Sequence, residues 1–155
     1  MEIERKFLIK AMPDLLGITP VRYERYYLKR EAGVEERIQK KGTKFEHEKK
    51  TLISTLERTR EKREISEEEF LRLKKEAGEA IVRDGYGLGN NTSIKIYHGR
   101  FEGLLRVEIE FATKEDALAY KPEQWMGDEI TASPLGRDST LLDLSESEFL
   151  SLVKK

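Results

Sequence analysis

Charge recurs at alternate positions in most of the chain's extended segments, and this constrains the fold more than any other feature. Successive side chains of a β-strand point to opposite faces. Over residues 2–9 this puts Glu2, Glu4 and Lys6 on one face and Ile3, Arg5 and Phe7 on the other. Later, Arg106, Glu108 and Glu110 share a face, while Val107, Ile109 and Phe111 share the opposite one. Glu48 falls with Lys50, Arg60 with Lys62 and Glu64, Arg37 with Gln39, and Ser93 with Lys95. Amphipathic helices can cover the apolar faces. The charged faces must then look onto water or onto an enclosed polar interior. Two architectures satisfy that: an open antiparallel sheet with solvated ion-pair ladders, or a sheet closed into a barrel whose charged face lines a cavity.

Eight segments read as strands: residues 2–9, 22–30, 34–41, 44–51, 57–65, 81–87, 92–98 and 104–112. Gly42, Gly99 and Gly103 mark turns, and residues 52–57 read as a hairpin turn. Three helix starts are written as caps. Ser66 precedes Glu69 and Ser145 precedes Glu148 at capping-box spacing, and Thr113 opens a short helix that stops before Pro122. A further helical turn is expected between Pro13 and Leu16, and residues 127–137 read as an irregular connection. Gly85-x-Gly87-x-Gly89 lacks the Lys-Ser/Thr and helix of a phosphate loop, so it reads as a hairpin connection.

The 155 residues suit one domain with a core, and no repeat or linker interrupts residues 1–155. Lys and Arg total 29 against 30 Asp and Glu, so no bulk charge calls for a nucleic-acid polymer or an acidic membrane. The chain has no Cys, which excludes disulfides and thiolate metal sites. No long apolar run and no signal-peptide pattern stands out, and a soluble cytoplasmic protein is the expectation. His47 and His98 lack a second His at ligand spacing.

If the charged faces point inward, the interior gathers eight basic groups, Lys6, Arg37, Lys50, Arg60, Lys62, Arg83, Lys95 and Arg106. Against them stand six acids, Glu2, Glu4, Glu48, Glu64, Glu108 and Glu110, a surplus of +2. Burying so many charges without partners is prohibitive. An anionic ligand with a hard cation would satisfy them, since carboxylates suit Mg²⁺ or Mn²⁺ while Arg and Lys suit phosphate oxygens.

The order of motifs along the chain resembles the CYTH domain, or triphosphate tunnel metalloenzyme, family. Glu2-Ile3-Glu4-Arg5-Lys6-Phe7-Leu8 is similar to its opening signature, and Glu35-Glu36-Arg37-Ile38 with Gly42 to its arginine-bearing third strand. Lys50, Arg60-x-x-x-Glu64-Ile65, Val107-Glu108-Ile109-Glu110-Phe111 and Gly127-x-Glu129-Ile130-Thr131 follow in family order. The resemblance implies an α+β fold, a closed eight-stranded antiparallel tunnel with helices outside. It implies a divalent metal, Mg²⁺ or Mn²⁺, held by Glu2, Glu4, Glu108 and Glu110, with Glu4, Glu2 and Glu64 in catalytic roles. Lys6, Arg37, Lys50, Arg60, Arg83, Lys95 and Arg106 would bind a small triphosphate. The implied activity is metal-dependent triphosphate hydrolysis. The alternatives are a non-catalytic polyphosphate- or nucleotide-binding module and an adenylyl cyclase.

The chain departs from the family pattern at four places. Gln39 stands where a second arginine is usual, and Lys62 where an acid often stands. The Lys-x-Arg pair after the helix reads Arg83-Asp84-Gly85, and a Glu-x-Asp pair reads Ser93-Ile94-Lys95. The last change puts a metal ligand or a catalytic carboxylate in question and makes Lys95 a candidate to replace part of a cation's charge.

Overall fold

The structure is a computed structural model that describes residues 1–154. Nine strands form one antiparallel sheet: β1 (Glu2–Ile9), β2 (Val21–Glu31), β3 (Val34–Lys41), β4 (Lys44–Leu52), β5 (Glu57–Glu64), β6 (Ile81–Gly89), β7 (Thr92–His98), β8 (Leu105–Glu110) and β9 (Met126–Glu129). Their order is β5-β4-β3-β2-β6-β7-β8-β1-β9, and β5 also pairs with β1. Eight strands therefore close on themselves, and the open-sheet alternative is overturned. A closed sheet has no unpaired edge to expose.

Closure is shared along β1. Its first residues pair with β5, Glu2 opposite Arg58 and Ile3 opposite Glu57, while Phe7 and Ile9 pair with Glu129 and Met126 of β9. Residues 127–137 are thus partly a strand rather than wholly irregular. Arg5 fixes β9 there, because its guanidinium takes both oxygens of Glu129 at 2.9 and 2.7 Å.

Tight turns set the register of the hairpins. Between β6 and β7 only Asn90 and Asn91 intervene, both with positive φ, as a two-residue turn that follows the sheet's twist requires. Between β4 and β5, Ser54 Oγ accepts from the backbone N–H of Leu56 and Glu57. The helical turn expected near Pro13 does not form; Asp14 accepts from Leu16 N–H at 2.9 Å in a local turn that ends at Gly17, φ +85°.

Helices α1 (Glu67–Lys74), α2 (Lys114–Ala119) and α4 (Glu146–Val153) begin after Ser66, Thr113 and Ser145, and each cap side chain accepts a backbone N–H three residues on, at Glu69, Asp116 and Glu148. Only Ser145 and Glu148 form the full reciprocal box; Glu69 turns instead to Arg63 at 3.1 Å. A short fourth helix, α3 (Asp138–Leu141), was not expected from the sequence.

Three apolar clusters pack around the barrel. Phe70 of α1 sits with Tyr26, Ile38 and Ile65. Phe7, Ile94, Val107, Ile109 and Met126 form a second, which Trp125 and Tyr120 border. Phe149 of α4 joins Tyr27, Ile81, Tyr97, Phe101, Leu104, Leu135 and Leu141 in the third. Each such side chain contributes roughly 1.5–3 kcal/mol on burial, so the outer clusters can carry a barrel whose bore is polar. Among the described residues no helix is long and apolar enough to cross a membrane.

Candidate active site

The bore is a cavity of about 170 Å³ lined almost wholly by charge. That is below the ~300–1,000 Å³ usual for drug-sized ligands and suits a small polyanion. Twelve Lys or Arg and seven Asp or Glu line it, a formal surplus of +5. The surplus exceeds the +2 of the sequence reading because Arg25, Lys41, Arg58 and Arg137 also face the cavity. Glu35 and Asp138 face it as well, and Glu64 does not.

At one end the cations are braced by one buried acid. Asp138, at the start of α3, accepts from Arg25 Nη1 at 2.7 Å, Arg106 Nη2 at 3.0 Å and the Tyr97 hydroxyl at 2.5 Å, with Arg83 at 3.6 Å. Burial opposes its ionisation, but Arg83, Arg106 and Arg25 outweigh that and hold its carboxyl well below the usual range. Gln39 bridges the same end. Its Oε1 accepts from Arg25 Nε at 3.0 Å and Nη2 at 2.7 Å, and its Nε2 donates to Glu46 and Glu48 at 2.8 and 2.9 Å. A second arginine at position 39 would meet Arg25 instead of accepting from it.

The segment after β9 presses onto this end. Lys6 Nζ donates to Gly136 O at 2.7 Å and Arg106 Nη1 to Leu135 O at 3.0 Å. Gly136 lets this segment fold back on its own backbone, because a Cβ there would lie 2.1 Å from Ile130 O.

At the other end the carboxylates of Glu2, Glu4 and Glu110 offer oxygens that all lie within 4.8 Å of one another. Among the described residues this is the one such acidic triple. The β1–β8 register sets Glu4 opposite Glu110, and alternation adds Glu2. Glu2 also accepts from Lys50 Nζ at 2.7 Å and Arg60 Nη1 at 3.3 Å. Burial and the neighbouring Glu4 and Glu2 push Glu110 up, a sign of unrelieved repulsion. Burial also acts to raise Glu4, yet Lys6, Lys50 and Arg58 hold it at about 2.

Glu108, expected as a metal ligand, is not in the triple. Its Oε2 accepts from Arg106 at 2.7 Å and Arg83 at 3.2 Å, which neutralise it. Glu64, expected in a catalytic role, is exposed at the far end of β5 opposite Glu46 and lies outside the cavity lining. The alternation of β5 is right for Glu64, but the strand carries it past the bore.

Between the two ends lie the basic groups of the expected triphosphate grip. Lys6, Arg37, Lys50, Arg83, Lys95 and Arg106 are buried and Arg60 is partly exposed, and all line the cavity. Burial, with Arg58 near, pushes Lys6 down to about 7, and burial with Arg37 pushes Lys50 down to about 8. The Nε atoms of Arg37, Arg58 and Arg83 are buried without a hydrogen-bond partner among the described residues. A buried N–H left unmade costs roughly 1–3 kcal/mol or more, so these donors fit an arriving acceptor.

Sequence reasoning missed Asp138, Arg25 and Arg58. Asp138 lies outside any strand pattern. For Arg58 the signal was present, since it shares parity with Arg60 and Lys62.

An antiparallel barrel with a cationic bore and a carboxylate triple at one end defines a class of protein, the charged β-tunnel. No family model matches the chain. It is 30% identical over 139 residues to an inorganic triphosphatase of Nitrosomonas europaea, covering 84% of this chain and 89% of that protein. The chain belongs to the triphosphate tunnel, or CYTH, family. Its fold superposes on the crystal structure of an inorganic triphosphatase with a TM-score of 0.66 and 25% identity, over 91% of this chain and 93% of that one. An adenylyl cyclase-like protein of Hippeastrum, described as having a dominant triphosphatase activity, shares the fold at a TM-score of 0.53 and 15% identity, over 76% and 83% of the two chains.

Proposed function

We propose that this protein hydrolyses a triphosphate, with inorganic tripolyphosphate as the favoured substrate, and that it does so with Mg²⁺ or Mn²⁺. The observation that carries the reading is the pairing of a cationic bore, with three unpartnered guanidinium N–H groups, and the Glu2–Glu4–Glu110 triple. The name of the Nitrosomonas relative supports the inorganic substrate. So does the lining, which is nearly all polar and offers no apolar slot for a base.

The residues present fit a hard divalent cation. Glu2, Glu4 and Glu110 supply only oxygen donors, and their mutual repulsion is what such an ion relieves. Bound there, the metal would polarise phosphoryl oxygens and offset developing negative charge. Arg37, Arg58 and Arg83 would donate to non-bridging oxygens from donors already desolvated and fixed. Lys6 and Lys50 would meet the same chain, and an anion beside each favours its charged form. Glu4, ionised throughout the neutral range, would orient the attacking water by accepting a hydrogen bond from it.

The test is phosphate release from tripolyphosphate, ATP and thiamine triphosphate with Mg²⁺, Mn²⁺ or EDTA. We expect release from tripolyphosphate that requires metal and falls roughly 10²-fold or more in Glu4→Gln. No release from any of the three by folded protein would make the tunnel a binding module instead.

A further inference from the structure

Tyr23 of β2 has no place in the reaction as described, yet three cations of the bore surround its ring. Lys95 Nζ lies 4.8 Å, the Arg83 guanidinium carbon 4.9 Å and Lys41 Nζ 5.7 Å from the ring centroid. The register explains the gathering. Tyr23 pairs with Lys41 on β3 and with Arg83 on β6. Lys95 on β7 pairs with Gly85 and reaches across it. A Cβ on Gly85 would stand 3.1 Å from Lys95 Nζ and 3.0 Å from Tyr23 Cε1, so the missing side chain is what admits the ammonium.

An aromatic face attracts a cation without neutralising it. That sets Lys41 and Lys95 apart from Arg25, Arg83 and Arg106, whose charge Asp138 and Glu108 take up. Among the described residues, neither Lys41 nor Lys95 makes an ion pair, and Glu108 favours the charged form of Lys95 only from a distance. Lys95 is nonetheless buried, and burial pulls its ionisation down. Like charges held together at low exposure are unfavourable until an anion arrives.

We propose that Tyr23 is a positioning residue that holds Lys41, Arg83 and Lys95 as one metal-independent wall for gripping the phosphate chain, in room that Gly85 clears. The inference rests on the triphosphate reading above and assigns part of the affinity to a ring that itself touches no phosphate. It also gives the Gly85 and Lys95 departures a single cause. A base absent from β6 is replaced by one from β7 that fills the space left opposite.

Tripolyphosphate binding measured by calorimetry in EDTA tests this, with wild type, Tyr23→Leu, Tyr23→Phe, Gly85→Ala and Lys95→Met. Tyr23→Leu should bind about tenfold more weakly, and Tyr23→Phe should restore the affinity, since the ring and not the hydroxyl does the holding. Gly85→Ala should mimic Lys95→Met, and Tyr23→Leu in the Lys95→Met background should cost clearly less than tenfold. In turnover with metal, Tyr23→Leu should raise KM while kcat stays within about twofold. Equal affinity of wild type and Tyr23→Leu would overturn the inference, as would a Tyr23→Phe variant as weak as Tyr23→Leu. Wild-type protein that binds no tripolyphosphate would defeat the triphosphate reading itself, a result distinct from a missing Tyr23 effect.

Discussion

The two ends of the bore solve the problem of buried charge in opposite ways. At the Asp138 end, one carboxylate meets Arg25, Arg83 and Arg106, and the Gln39 carboxamide adds a second acceptor for Arg25, so the chain itself offsets these charges. At the Glu2–Glu4–Glu110 end, like charges face one another and Glu110 is pushed up by them. The first arrangement stabilises the fold as it stands. The second is complete at Glu2 and Glu4, which cations of the chain pair, and incomplete at Glu110. A bore that takes up an anionic ligand uses both: a rigid base that fixes the basic side chains, and a mouth where lysines and arginines pair Glu2 and Glu4 while Glu110 still faces like charge.

The contrast breaks most visibly at Asp138. Removing one partner of a buried ion pair leaves uncompensated charge and costs roughly 3–5 kcal/mol. Asp138→Asn should therefore lower the unfolding free energy by about that amount in urea or guanidinium. The pH dependence has the same origin. The Asp138 carboxyl is held well below its ordinary value, so its contribution is fully present above the unfolded-state pKa near 3.8 and fades as pH falls through the folded value. Wild type should lose stability steeply below about pH 4, and the Asp138→Asn profile should be flatter over the same range. Parallel profiles would mean that Asp138 is not the brace.

At the acidic end the sign should reverse. Without metal, Glu110→Gln removes a like charge from the triple, so the protein should be slightly more stable, by about 0.5 kcal/mol or less because Glu110 is exposed. Adding Mg²⁺ should raise the melting temperature of wild type and raise that of Glu110→Gln less. A variant destabilised by the substitution would show that this end is braced too, and the comparison would fail.

The barrel was legible because alternation is local. Eight strands, their turns and three helix caps can be read from spacing alone, and the charged faces of β1, β3, β4 and β8 fall inward as their parity requires. Alternation could not choose between an open and a closed sheet, since that depends on β1 meeting β5 across more than fifty residues. The motif resemblance made that choice. The partners within the bore were less legible. Glu108 has the same parity as Glu110, yet Arg83 and Arg106 claim it. Asp138 sits on a helix of one turn, where no period marks it. Tyr23 looks like any half-buried strand aromatic until its neighbours on β3, β6 and β7 are known. Parity assigns a face, whereas the identity of a partner depends on register across several strands at once.

Glu64 sharpens the limit of parity. It alternates correctly with Arg60 and Lys62, and the family order places it among the catalytic acids. Along β5, however, the pairing runs Arg58 with Leu52, Arg60 with Lys50, Lys62 with Glu48 and Glu64 with Glu46. Arg58 is buried, Arg60 and Lys62 are exposed but still line the cavity, and Glu64 is exposed beyond the lining. Strand position, not face, removes it from the site. Glu64→Gln should then change stability by no more than about 0.5 kcal/mol and leave turnover of tripolyphosphate within about twofold, measured beside Glu4→Gln. A loss approaching that of Glu4→Gln would mean that β5 slides inward when substrate binds, and the acidic end would extend further along the bore than β1 and β8 define.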